Sequence, residues 1–333
     1  LLETKGTDTL ILTSTDMEIG ISKHIQVTVE EEGSITIPAK KLLDIVRELP
    51  DNEVTIVVSK TNSIAITSGK SYIKLLGLSR EDFPTFPDFD ETAGIEVSLT
   101  VLQDLLRLSS FAVSTDENKY VLNGMLFSLQ EKILQVVATD GRRLACAKKQ
   151  LQDQEGQFQV IIPTKTIHEL QKISCEDNPT VRIIHLKNQI VFKFSDGFII
   201  SRLIEGHFPD YEKVIPVKSR LTAEIKRQEF LSVIRRANLL TSKESQGVKL
   251  DFLKNRILVS AKSPNLGELK EELPTVNEGD NISIGFNPLF LIDVLKNISD
   301  DEILFSITEA DKPGAIRRKD DDYLCVIMPM QIS

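Results

Sequence analysis

The feature that most constrains this chain is that it repeats itself at a period the size of a domain. Three segments share one pattern: ITIPAKKLLDIVRELPDNEVTIVVSKTNSIAITSG from Ile35, VIIPTKTIHELQKISCEDNPTVRIIHLKNQIVFKFSDG from Val160 and ISIGFNPLFLIDVLKNISDDEILFSIT from Ile282. Each reads as a short strand, an amphipathic helix, a turn and alternating strands. The landmarks keep step. Pro38 and Pro163 stand 125 residues apart, Thr15-Asp16 and Thr139-Asp140 stand 124 apart, and Phe83-Pro84 and Phe208-Pro209 stand 125 apart. Solenoid repeats run to about 20–50 residues, so this period marks whole domains. The boundaries that follow are 1–94, 95–218 and 219–333.

The second and third repeats open alike. IEVSLTVLQDLLRLSSFAVS and LTAEIKRQEFLSVIRRANLLTS each read as a strand followed by a helix. Leu102, Leu105, Leu106 and Ser109 in the one, and Phe230, Val233, Ile234 and Ala237 in the other, recur at helical spacing and should face a core. The first repeat has no such opening and no initiator Met, so a strand and helix are expected before Leu1. Strands outnumber helices throughout. VTIVVS, SIAITS, VRIIHL and QIVFKF are β-branched or alternating and bounded by turn residues. The expected class is α+β, with two helices packed on one face of the β-sheets in each complete repeat.

Composition narrows the function. An apolar fraction of 41% and a charged fraction of 27% belong to a folded chain, not a disordered one. No stretch approaches the roughly 18 apolar residues of a membrane span, and no signal peptide is visible. Cys146, Cys175 and Cys325 are far apart and form no C-x-x-C pair, which fits ordinary thiols in a reducing cytoplasm. An enzyme is disfavoured. There is no P-loop, G-x-S-x-G or H-E-x-x-H, and the four histidines, at 24, 168, 185 and 207, are scattered. Asp320, Asp321 and Asp322 lie beside Arg317, Arg318 and Lys319 and read as a charged hairpin tip, while Asp16 and Asp140 read as turns. No metal or cofactor is implied.

The strings YVLNGMLF from Tyr120, VVATDGRRLA from Val136, GHFPDYEKVIP from Gly206, IGFNPLFLIDVL from Ile284 and the terminal CVIMPMQIS resemble, in order and spacing, the bacterial DNA polymerase III beta subunit family, the beta sliding clamps. The likeness covers the whole chain. It implies a non-catalytic processivity factor: three DNA-clamp domains per chain, a head-to-tail homodimer closed into a ring on duplex DNA, and docking of the replicative polymerase alpha subunit, the clamp loader and repair polymerases through short linear motifs. The implied location is the bacterial cytoplasm. A net charge of −9 lowers the expectation of nucleic-acid binding, but a ring can be acidic outside and basic in its bore. The rival reading is a β-rich repeat scaffold without DNA binding. It predicts mixed charge on the helices, where a clamp predicts net positive charge.

The resemblance implies three sets of site residues. A peptide groove between the second and third repeats takes in Leu122, Thr139, Gly141, Arg142, Arg143, Leu144, Pro209, Lys213, Val214, Phe290, Pro313, Ala315, Val326, Ile327, Met328, Pro329 and Met330. Leu144, Val214, Ile327 and Met328 are expected to form an apolar pocket, with Arg143 reaching peptide carbonyls; the alternative is that Leu144 and Met328 are simply core. The chain departs from the family at Arg142, where many relatives have His, at Lys213, where some have Arg, and at the tail Gln331, Ile332 and Ser333. Sliding needs many weak phosphate contacts without base readout. The candidates are Lys40, Lys41, Arg47, Arg107, Lys119, Tyr120, Lys165, Lys172, Arg235, Arg236 and Lys296. The ring interface is expected to bring Ile73 and Leu75 of one chain against Leu239 and Leu240 of the other.

Overall fold

The computed structural model describes residues 1–50, 53–152, 156–174, 179–241 and 247–331. The first repeat contains β1 (Leu2–Lys5), β2 (Thr9–Thr15), β3 (Ile19–Gln26), β4 (Ser34–Ile35), α1 (Ala39–Glu48), β5 (Thr55–Val58), β6 (Ser63–Ser68) and β7 (Ser71–Leu76). The second contains β8 (Ile95–Ser98), α2 (Leu99–Ser109), β9 (Gly124–Gln130), β10 (Ile133–Thr139), β11 (Arg143–Gln150), β12 (Phe158–Pro163), α3 (Thr164–Lys172), β13 (Thr180–His185), β14 (Gln189–Phe194) and β15 (Gly197–Arg202). The third contains β16 (Leu221–Lys226), α4 (Arg227–Asn238), β17 (Val248–Leu253), β18 (Arg256–Ser263), β19 (Gly267–Pro274), β20 (Val276–Gly279), β21 (Ile282–Phe286), α5 (Pro288–Asn297), β22 (Glu302–Ile307), β23 (Gly314–Arg317) and β24 (Tyr323–Ile327). The α+β class and the strand–helix openings of the second and third repeats are as the sequence suggests.

The strands form antiparallel sheets that cut across the repeats. Residues 1–98 and 175–202 make one compact body, and residues 99–174 and 203–333 make another. In the first body an eight-stranded sheet runs β4-β1-β2-β3-β15-β14-β13-β8, and a second sheet runs β5-β6-β7. Here β3 pairs with β15, Gly20 opposite Ile200. This pairing brings β15 close enough that a side chain at Gly197 (φ +150°) would put its Cβ 2.0 Å from the Ser22 carbonyl oxygen. Leu2, Ile35, Ile37, Ile64 and Ile66 form a core that takes Leu42 and Ile45 from α1 and Leu49 just past its end. The remaining apolar residues of α1, Leu43 and Val46, stay exposed, as does all of β5.

In the second body a nine-stranded sheet runs β12-β9-β10-β11-β24-β23-β22-β16-β20, and a four-stranded sheet runs β19-β18-β17-β21. Helix α2 packs on β10, β11 and α3, while α4 packs on α5 and on β17 to β19. Periodicity explains the helices. Leu102, Leu105, Leu106 and Ser109 are all buried, as are Phe230, Val233, Ile234 and Ala237. Ser109 is tolerated there because its hydroxyl donates to the Leu105 carbonyl one turn back, at 2.5 Å. Helix α5 starts on an Asn287 cap that accepts from the Leu289 N–H at 2.9 Å, with Pro288 at its first position. Phe305 sits at the centre of the third repeat's core, its ring 5.6 Å from both Phe252 and Phe286.

Candidate functional site

Strands β10 and β11 are joined by a turn that satisfies itself. The Thr139 hydroxyl donates to the Arg143 carbonyl at 2.7 Å and accepts from the Gly141 N–H at 3.1 Å. Asp140 Oδ1 accepts from the N–H groups of Arg142 and Arg143 at 2.8 and 3.0 Å. Gly141 takes φ +87°, the left-handed conformation that such a turn requires. Thr139 is therefore buried as part of the turn. Beyond the turn β11 pairs with β24, so that Leu144 lies opposite Val326 and Arg143 opposite Ile327.

That register decides the faces. Directly opposed residues of an antiparallel pair share a face, and successive residues alternate. Leu144, Val326 and Ala315 join one buried cluster with Leu126, Val137, Cys146 and Leu324, flanked by Val121, Phe208, Tyr211 and Ile215. Next to the flanking Phe208 and Ile215 in the chain, Pro209, Lys213 and Val214 are exposed, Val214 to 45%, and Met328, one residue past β24, is 41% exposed. Lys213 pairs with Asp210 at 2.8 Å. Leu144 is core and floor at once, whereas Met328 is free surface. Ile327 corrects the expected pocket: it is fully buried on the opposite face, with Arg143.

Arg143 is the second correction. Its head does not point to solvent. Nε donates to Asp140 Oδ2 at 3.1 Å, Nη1 to Asp293 Oδ2 on α5 at 2.6 Å and Nη2 to the Phe111 carbonyl at 2.6 Å. The guanidinium carbon lies 4.6 Å from the Phe290 ring centre and 5.4 Å from that of Phe111. Arg143 thus braces the turn against α5, and Phe290 stacks on it. Arg142 is exposed, and its carbonyl accepts from the Met328 N–H at 2.9 Å. Leu122 and Pro313 are half-buried.

Two cavities adjoin this surface. One of about 330 Å3 is lined by Gln135, Cys146, Tyr211, Ile215, Val217 and Leu324, rimmed by Lys148 and Arg317. The other, about 340 Å3, is lined by Gly285, Ala310, Pro329, Met330 and Gln331. The sequence reading did not single out Val217, 95% exposed, or Leu289, 54% exposed. Burial pushes the Cys146 and Cys325 thiols up to about 12. Cys175, Ile332 and Ser333 lie outside the described residues. Asp320 to Asp322 sit at the β23–β24 connection, where Asp321 pairs with Arg317 at 3.3 Å and Asp322 with Arg318 at 3.4 Å. Among the described residues no group of His, Cys, Asp or Glu is placed to hold a metal, and no helix is long and apolar enough to cross a membrane.

The basic candidates differ in exposure and in the ion pairs they make. Lys40, Lys41, Arg47, Lys165, Arg235 and Lys296 are exposed on the helices, and Tyr120 is 59% exposed. Arg107 is paired with Asp104, Lys172 with Glu169, and Arg236 with Glu271 through two nitrogens. Lys119 donates to the Asp140 carbonyl at 2.9 Å. The five helices together carry ten Lys and Arg against six Asp and Glu, in a chain whose net charge is −9.

At the expected interface, Ile73 and Leu75 on β7 are half-buried, opposite Ile66 and Ile64. The outward residues of this edge strand are Tyr72 and Leu76, 67% and 78% exposed. They, rather than Ile73 and Leu75, present apolar surface, because alternation turns the latter inward. Leu239, at the end of α4, is 75% exposed, and Leu240 is half-buried.

Comparison with known proteins returns one family for all three repeats. Residues 1–87, 96–210 and 212–331 match, respectively, the N-terminal, central and C-terminal domains of the DNA polymerase III beta subunit. The beta sliding clamp of Staphylococcus epidermidis is 34% identical, over 97% of this chain and 88% of that protein. The crystal structure of the DNA polymerase sliding clamp of Bacillus subtilis superposes with a TM-score of 0.95 at 32% identity, covering 100% of this chain and 90% of that one. That of the Pseudomonas aeruginosa sliding clamp bound to griselimycin gives 0.92 at 31% identity, covering 99% and 90%.

Proposed function

The chain belongs to the DNA polymerase III beta subunit family, the beta sliding clamps, and from that premise we propose that partners dock by a short peptide on the surface around Leu144, Val214, Met328 and Val326. The protein is a DNA clamp, a non-catalytic processivity factor, and the scaffold alternative is not favoured. The observation that carries the docking reading is the buried apolar floor with Met328 exposed one residue past β24 and Val214 exposed next to Ile215, which packs on that floor. A leucine or phenylalanine anchor would cover both, and methionine adapts to anchors of different shape. Arg142, Lys213, Pro209, Leu122, Pro313, Pro329 and Met330 form the surroundings of this groove, while Arg143, Thr139, Gly141 and Phe290 hold its geometry.

The test is a titration with a peptide carrying Leu and Phe anchors. Val214→Glu and Met328→Glu change only exposed positions, so the fold should survive. Covering half of each side chain is worth about 1 kcal/mol, and a buried glutamate costs more, so affinity is expected to fall at least about tenfold per substitution. Equal affinity in wild type and both variants would falsify the groove.

The remaining assignments follow the same reading. Clamp domains at 1–94, 95–218 and 219–333 would pair head to tail into a ring through the β7 edge and Leu239–Leu240. DNA would be met by the exposed helix cations, whose net charge is positive where the chain's is negative. The clamp loader, the polymerase alpha subunit and repair polymerases are the partners expected at the groove, in the bacterial cytoplasm. Loaded onto a nicked circular duplex, the protein should resist high salt and leave once the circle is cut. Equal loss from circular and linear DNA would contradict the ring.

A further inference from the structure

The Thr139–Arg143 turn has a twin. In the first compact body the Thr15 hydroxyl donates to the Ile19 carbonyl at 2.8 Å and accepts from the Met17 N–H at 3.0 Å. Asp16 Oδ1 accepts from Glu18 and Ile19 at 3.1 and 2.9 Å. These are the four bonds of the groove turn, residue for residue at an offset of 124. Even the left-handed residue is kept, at Met17 with φ +76°. The strand closing the turn is matched too. Arg202 N–H donates to the Glu18 carbonyl at 2.9 Å, as Met328 N–H donates to that of Arg142 at 2.9 Å. Ile200 faces Gly20 as Val326 faces Leu144.

Among the exchanges between the two sites, one decides the space on the floor. Where the groove has Leu144, the twin has Gly20, and the ring of Phe86 lies over it. A Cβ added at Gly20 would sit 2.4 Å from Cε1 and Cζ of that ring and 2.9 Å from Cγ2 of Ile200. The phenylalanine therefore fills the volume that the leucine side chain fills in the groove. Its counterpart is Tyr211. The ring pairs correspond, Phe83–Phe86 and Phe208–Tyr211 both having centroids 6.4 Å apart. Tyr211, however, flanks the same cluster beside Cys146 and Leu324, held by a 2.5 Å hydrogen bond from Gln135. Phe86 has no hydroxyl, and the position equivalent to Gln135 is Ile11. The ring instead packs against Phe198, centroids 5.9 Å apart. What remains open between the Thr15–Gly20 turn, Phe86 and Ile200 is about 70 Å3. That is too little for a leucine or phenylalanine side chain.

We propose that the Thr15–Ile19 turn carries a second copy of the peptide groove filled from within by Phe86, and that Phe86 thereby confines peptide docking to one site per chain. The inference rests on the peptide reading of the groove at Leu144. It assigns Phe86 as a specificity-determining residue, and it assigns to the twin site the same class of ligand, a peptide with an apolar anchor.

The experiment is a cycle of Gly20→Leu, Phe86→Ala and the double variant in the full chain. Gly20 does not take a positive φ, so leucine is allowed by the backbone. Gly20→Leu alone meets the ring, and Phe86→Ala alone leaves a hole. Together they rebuild the arrangement at Leu144 once the Ile200 side chain, whose Cγ2 is 2.9 Å from the new Cβ, turns aside. The expected result is a melting temperature for the double variant above both singles. Calorimetric titration with the Leu/Phe peptide is expected to give two sites per chain in the double variant and one in wild type. The second site should be about 10- to 100-fold weaker, because Arg202 stands where Met328 offers apolar surface. A double variant less stable than the singles overturns the proposal, since Phe86 would not occupy the leucine's volume. So does a stable double variant that still binds one peptide. Wild type that binds none removes the groove reading and this inference with it.

Discussion

Replacing Arg143 with alanine separates a brace from a peptide ligand. The Arg143 and Asp140 side chains are 12% and 20% exposed, so breaking their bond leaves a mostly buried carboxylate with only its two backbone N–H partners, at about 1.5–3 kcal/mol. Asp293 is 38% exposed, and its share is discounted by solvent to under about 1 kcal/mol. The bond to the Phe111 carbonyl adds about 1 kcal/mol, and stacking on Phe290 and Phe111 about 0.5–1 kcal/mol more. Because these contacts share one side chain they do not add fully, and about 4 kcal/mol is the expected loss. In a body of this size each kcal/mol moves the melting temperature by about 2–4 °C, so the transition of residues 99–174 and 203–333 should fall by roughly 10 °C in differential scanning calorimetry. Lysine should recover less than half, since it cannot reproduce the fork. A fall under about 2 °C, or a loss of peptide affinity at unchanged melting temperature, would return the Arg143 head to the peptide and refute the brace.

Three further outcomes are expected. With thiols raised to about 12 by burial, Cys146 and Cys325 should resist alkylation at pH 8 until urea is added. Because the folded values lie above the unfolded value of 9.0, their contribution to stability is complete below pH 9 and is lost as pH climbs toward 12. Prompt labelling of the native protein would contradict this. Leu239→Ala with Leu240→Ala, or Tyr72→Ala with Leu76→Ala, should give monomers in sedimentation at low micromolar concentration, and a persisting dimer would rule out the interface. Gly197→Ala should lower the melting temperature of the first body by several degrees, since its Cβ meets the Ser22 carbonyl at 2.0 Å. An unchanged transition would mean that β15 can move off β3 without loss.

What local pattern governs was legible in the sequence, and what distant chain segments decide was not. The helical spacing of Leu102, Leu105, Leu106 and Ser109 requires no partner to be known, and all four are buried. The Thr-Asp turns are equally local, because Asp140 bonds to residues two and three positions ahead. Arg143 is different. Its partners include Asp293, 150 residues further on, and nothing in GRRLA announces that. The resemblance groups Ile327 with Leu144, although strand alternation beside Val326 argues against it. The same alternation could have moved the interface from Ile73 and Leu75 to Tyr72 and Leu76. The Phe86–Gly20 contact had a faint signal. Aligning the repeats at an offset of 124 sets Gly against Leu144, and a glycine in a strand often marks close approach of another group.

The charge distribution leads to one last prediction. A chain at −9 should not seek DNA over its whole surface, yet its helices carry a net excess of cations. Phosphate binding by those cations is salt-dependent, and each true contact adds about 0.9 to the slope of log K against log salt. Binding to short linear duplex is therefore expected to weaken steeply with salt, while retention on a circle is not. The slope also ranks the candidates. Lys40, Lys41 and Arg235 are exposed, and replacing all three with alanine should lower it by about 2.7. Arg236 is already held by Glu271, Arg107 by Asp104 and Lys119 by the Asp140 carbonyl. Replacing these should leave the slope nearly unchanged, because their cations are committed before DNA arrives. If the second set lowers the slope as much as the first, the intramolecular pairs open on DNA, and exposure in the free protein is no guide to which cations touch phosphate.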